Sequence, residues 1–98
     1  MVRHLVLWTL KEEEKKNEDQ MIAGFRQRFK ALLGVVDGLT AIEVGKNYNG
    51  GDFDMVLNCE FTTKEAQDSY QTNPAHLAIA NDVRQLVCNR VCVDYETE

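Results

Sequence analysis

The segment from His4 to Leu10, HLVLWTL, is apolar at both parities of an extended chain, and this constrains everything that follows it. Successive side chains of a strand point to opposite faces, so Leu5 and Leu7 fall on one side and Val6 and Trp8 on the other. Both faces must be kept from water. A chain of 98 residues supplies one modest core and cannot bury both faces of a wide sheet alone. Helices can cover one face; for the other the available cover is a second copy of the chain.

The remaining segments supply those helices and the rest of the sheet. After the solvated stretch KEEEKK, Asn17 with Gln20 resembles a capping box, and Met21, Ile22, Phe25, Phe29, Leu32, Leu33 and Val36 recur at helical spacing. One long amphipathic helix is predicted. Asp37 and Gly38 mark a turn into LTAIEVGKN, a second strand with Ile42 and Val44 inward and Gly45 as a bulge or bend. Beyond the loop YNGGD, the third strand FDMVLNCEF alternates Met55, Leu57, Cys59 and Phe61 with Val56, Asn58 and Glu60.

Thr62 with Glu65 caps a short helix through Tyr70 in this reading. Asn73 and Pro74 then serve as the N-cap and first residue of a third helix, since the missing proline N–H costs nothing there. That helix carries Leu77, Ala80, Val83 and Val87 on one face, and RVCVDYETE closes the sheet with Val91, Val93 and Tyr95 on one parity. The order β-α-β-β-α-β is the ferredoxin-like split arrangement, an α+β fold with a four-stranded antiparallel sheet and helices on one face. Residues 1–98 form one domain, expected to pair sheet to sheet as a homodimer.

Charge excludes several partners. Net charge is -5 and Lys and Arg are interspersed with Asp and Glu, so no basic stripe is available for nucleic acid. No segment approaches the roughly 20 apolar residues of a membrane span, and the apolar run at the N-terminus is too short for an export signal. A cytoplasmic protein is expected. Cys59, Cys88 and Cys92 read as buried, reduced thiols. Cys88 and Cys92 on one strand would stand about 13 Å apart, too far for a disulfide, and their C-x3-C spacing is a weak metal signal. No metal and no cofactor is expected.

Taken together, HLVLWTLK, IEVGKN, YQTNPAHL and the closing VDYE resemble the stress-responsive A/B barrel domain (Dabb) family of the dimeric α+β barrel superfamily, over nearly the whole chain. The resemblance implies a barrel formed across a dimer, and a cavity between sheet and helices in each protomer. It implies a small apolar or polyketide-like ligand, with His4, Val6, Trp8 and Phe25 as candidates to contact it. A plant member with related motifs, olivetolic acid cyclase, closes a ring by a cofactor-free aldol-type reaction. By that resemblance Tyr70, His76 and Asp94 are the candidate catalytic residues. Trp8 departs from it, being far bulkier than the aliphatic residue of the cyclase.

The chemistry of these groups is coherent. His76, third in its helix, is kept neutral by the helix dipole and can accept a proton. Asp94 would fix its tautomer, and Tyr70 would donate to a developing enolate oxygen. A structural account explains the same residues: Tyr70 packs, His76 completes a helix start, Asp94 solvates a strand end, and Trp8 and Phe25 fill the core. Three functions therefore stand: a ligand-binding dimer, a cyclase or isomerase with His76 as base, and a structural dimer with a closed core.

Overall fold

The computed structural model describes residues 1–98. Its elements run β1 (Val2–Leu10), α1 (Glu18–Lys30), β2 (Leu39–Lys46), β3 (Met55–Phe61), α2 (Lys64–Thr72), α3 (Pro74–Leu86) and β4 (Val87–Glu96). All strand pairs are antiparallel and the sheet order is β2-β3-β1-β4, so β1 is interior and β4 is an edge. This is the ferredoxin-like α+β architecture. No helix is long and apolar enough to cross a membrane.

The core lies between the sheet and its helices. Val2, His4, Val6, Trp8 and Leu10 of β1 are buried on that side, joined by Met55, Leu57, Cys59 and Phe61 of β3. Ile22, Phe25 and Phe29 of α1 and Ile79 and Val83 of α3 close over them. Each large side chain so withdrawn from water contributes about 1.5–3 kcal/mol. The other face of the sheet has no helix. There Leu5, Leu7 and Val56 are half-buried, while Val91, Val93 and Tyr95 are exposed, Val93 by 51%.

Local chemistry departs from the sequence pattern at several points. KEEEKK is not a bare connection: a 3-10 helix spans Glu12–Asn17, and the Asn17 side chain makes no capping bond. Helix α1 stops at Lys30, short of Val36, because the chain turns through Gly34 at φ 84°. Leu32 and Val36 are nevertheless buried, which is why they matched a helical stripe. In β2 the register shift falls between Leu39 and Ala41 rather than at Gly45, and β1 has another between Thr9 and Leu10. Gly45 instead faces Val56, whose methyl would stand 3.2 Å from an added Cβ. At Gly38, with φ 82°, an added Cβ would meet that of Ala66 at 2.5 Å. No other residue fits where α2 begins.

Helix α2 is capped by Thr63, one residue after the expected Thr62, whose own N–H is spent on the Gly38 carbonyl. The predicted Asn73 cap is present, its Oδ1 accepting from the Ala75 N–H at 2.9 Å ahead of Pro74. Cys59 is buried, but Cys88 and Cys92 are exposed, contrary to expectation. They belong to the edge strand, whose residues are exposed along nearly its whole length.

Candidate functional site

The Asn73 cap ends α2 and starts α3 in a sharp corner, and this corner stacks Tyr70 on His76 with ring centroids 3.9 Å apart. Tyr70 is wholly buried, tilted against Phe61 at 5.1 Å. No hydrogen bond of ordinary geometry reaches its hydroxyl, although the Cys59 thiol is close enough to perturb it. Burial pushes the phenol above its ordinary value, with Cys59 adding, and pushes the Cys59 thiol up to about 12. Neither group ionises near neutrality.

His76 is half-buried, and its Nδ1 has no partner. Its pKa falls below the ordinary imidazole value, chiefly through burial; the Gln71 carbonyl opposes this, while His4 and Arg90 reinforce it. At neutral pH it is an uncharged base. The expectation that Asp94 would hold this ring is overturned: the β1–β4 register sets Asp94 directly opposite His4, on the neighbouring strand.

The His4 Nδ1 and Asp94 Oδ1 lie 2.5 Å apart, with the His4 ring 2% exposed and Asp94 half-open to water. Burial raises the Asp94 pKa, but hydrogen bonding and charge from His4, with Gln67 and Cys92 contributing, hold it below the ordinary carboxylate value. A carboxylate on Nδ1 selects the tautomer whose proton sits there, leaving Nε2 as the basic nitrogen. The Cys92 Sγ stands 3.5 Å from the same Nδ1. Burial and then Asp94 raise that thiol's pKa, so it is not an activated nucleophile.

His4 and His76 share a cavity of about 420 Å³ between α3, β1 and the start of β4. Val6 and Trp8 line it as expected, and Trp8 leaves it open by stacking on Phe29 at 6.4 Å. Phe25 does not line it: its ring packs on Phe29 at 6.3 Å, with the Arg28 guanidinium over it, so Phe29 takes the expected place. Tyr70 and Asp94 are also absent from this wall; Asp94 opens onto a separate groove with Lys64, Gln67 and Glu96. Leu77, Ala80 and Val83, the predicted α3 stripe, form the opposite wall. Gln71, Arg84 and Arg90 supply polar groups that the sequence reading missed.

His4, Cys92 and Asp94 are also the one group with metal-ligating atoms close together, all within 4.8 Å. Two ligands of one tetrahedral zinc, each at about 2.0–2.1 Å, stand roughly 3.3 Å apart. The 2.5 Å contact of His4 with Asp94 is a hydrogen bond instead.

Comparison with known proteins agrees with this architecture. A dimeric ferredoxin-like protein from Bacteroides fragilis is 31% identical, with 98% of this chain and 95% of that chain covered and a TM-score of 0.86. An uncharacterized protein of Streptomyces coelicolor is 31% identical over 80 residues, 80% of this chain and 81% of that protein. A hydroxynitrile lyase from Passiflora edulis shares the fold at 14% identity and a TM-score of 0.79, covering 99% of this chain and 93% of that one. Residues 2–97 match the Stress Responsive A/B Barrel Domain, Dabb, and the chain belongs to that family.

Proposed function

We propose that this protein is a cytoplasmic homodimer, joined through the open sheet face, that binds a small, largely apolar molecule in each protomer's cavity. The carrying observation is the cavity itself: about 420 Å³, walled by Val6, Trp8, Phe29, Leu57 and Val83, with two imidazoles on its surface. Small-molecule sites have this composition, mostly apolar with a few convergent polar groups, and run from roughly 300 Å³ upward. The dimeric Bacteroides relative supports the pairing, and free, exposed Cys88 and Cys92 suit a reducing compartment.

Trp8 is the chain's sole tryptophan and lines the cavity, so its fluorescence reports occupancy. Titration with 2-undecanone or decanoate should give a saturable change, lost in Ala80→Phe, which fills the cavity from α3. No saturable change with either probe would overturn the binding reading and leave the structural dimer.

The His4–Asp94 pair favours a second reading, cofactor-free proton abstraction beside a carbonyl, the chemistry of a cyclase or isomerase. Asp94 orients His4 so that Nε2 can accept a proton, and stabilises the imidazolium that forms. His76, neutral and half-buried, is the second base on the same cavity. Tyr70 positions the His76 ring by stacking and does not donate to substrate. The test is deuterium exchange at the α-carbons of 2-undecanone, followed by NMR. Acceleration by the wild type that falls in Asp94→Asn and in His76→Gln supports this reading; exchange at the rate of free solution refutes it.

A further inference from the structure

Five arginines occur in the chain, and three are satisfied within the fold. Arg3 pairs with Glu60 at 3.1 Å, Arg28 pairs with Asp82 at 2.8 Å, and Arg26 donates to the Val44 carbonyl at 2.8 Å. The other two differ. Arg84 reaches only the neutral Asn81 amide, at 3.3 Å, and Arg90 has no carboxylate partner. Both line the cavity that holds His4 and His76, and no Asp or Glu lines it.

That distribution is contrary to the composition, because 16 acidic residues face 11 Lys and Arg in this chain. Acids are plentiful, yet none is placed to neutralise these two guanidinium groups. A concave, largely apolar wall bearing cations of one sign focuses positive potential on whatever enters. Arg90 and His76 line this same wall, so a cation there lies on the side of the cavity that holds the imidazole. A guanidinium fork is matched to carboxylate and phosphate oxygens.

We propose that the cavity takes an amphipathic organic anion, its apolar tail lying on Val6, Trp8, Phe29 and Leu57 and its carboxylate or phosphate held by Arg84 and Arg90. This rests on the cavity being a binding site. The headgroup would sit at the α3–β4 side, with the tail directed along β1 toward the core. Bound there, the anion places the atoms next to its headgroup beside His76, the neutral base on the same wall.

The experiment titrates the full chain with decanoate, decyl phosphate and neutral 2-undecanone at low salt, reading Trp8 fluorescence. At least one anion should bind about 10-fold more tightly than the ketone, and added salt should erode that margin. The preferred anion identifies the headgroup as carboxylate or phosphate. A double variant, Arg84→Gln with Arg90→Gln, should abolish the preference for the anions over the ketone while leaving the melting temperature unchanged, both side chains being exposed. Equal binding of all three probes, or an anion preference that survives the double variant, overturns the inference and leaves the binding site standing. Failure of every probe overturns both.

Discussion

Strands β1 and β4 are neighbours in one sheet, run in register, and use their two parities in opposite ways. β1 turns Val2, Val6, Trp8 and Leu10 toward the helices and leaves Leu5 and Leu7 half-covered on the open face. β4 turns Arg90, Cys92 and Asp94 toward the helical side, opposite Trp8, Val6 and His4, and puts Val91, Val93 and Tyr95 on the open face. The interior strand supplies the core and the cavity floor. The edge strand supplies polar groups to the site with one parity and an apolar surface for a partner with the other. An edge strand left this way needs cover, both along its backbone and over its side chains.

The sharpest way to break the comparison is to place the same charge on each strand. Leu10→Asp buries a carboxylate at a position 1% exposed, outside the cavity and beside the Asp54 carboxylate that the Leu10 N–H bonds, at a cost of several kcal/mol, comparable to the whole stability of a small domain. Cooperative thermal unfolding should vanish. Val93→Asp, on the open face of β4, should keep the fold but dissociate the dimer, so that the protein sediments as a monomer at micromolar concentration. If Val93→Asp stays dimeric, the open face is not the interface.

This contrast also marks what could be read from sequence. The two-parity apolar pattern of HLVLWTL and the outward Val91, Val93, Tyr95 series were legible, because strand periodicity is a local signal. So was the Asn73–Pro74 corner, whose capping bond spans two residues. The His4–Asp94 pair was not, since it joins residues 90 apart through a register that no local pattern encodes. Resemblance brought Asp94 to notice but attached it to His76. Arg84 and Arg90 look like ordinary surface charges in sequence; only the shared cavity and the missing carboxylates distinguish them.

His76 and Asp94 sharpen the comparison through pH. His76 has a folded pKa below its unfolded value of about 6.5. The unfolded chain therefore binds the proton first, and stability falls as pH drops from about 6.5 toward the folded pKa. His76→Gln should flatten that segment of the stability profile. Asp94 acts at lower pH. Its folded pKa lies below 3.8, so its contribution is present above that value and lost as pH falls through the folded pKa. Asp94→Asn should flatten the acid limb below pH 3.8, by less than about 1 kcal/mol because the carboxylate is half-exposed and screened. Chemical denaturation at a series of pH values separates the two limbs. An unchanged profile in His76→Gln would mean that the ring is protonated as readily in the fold as outside it.

The smallest effect is expected at Tyr70, and it divides packing from chemistry. The ring fills space between Phe61 and His76, but its buried hydroxyl gains no hydrogen bond to offset the loss of water. An unsatisfied buried hydroxyl is a cost to the fold, so Tyr70→Phe should leave stability unchanged or raise it by up to about 1 kcal/mol. Because the tyrosine does not reach the cavity wall, the substitution should also leave probe binding and ketone exchange as they are, with the His76 ring still stacked. A catalytic phenol would respond differently, losing exchange activity while keeping the melting temperature. That outcome would mean the α2–α3 corner opens when ligand enters and brings the hydroxyl to the substrate, returning Tyr70 from packing to chemistry.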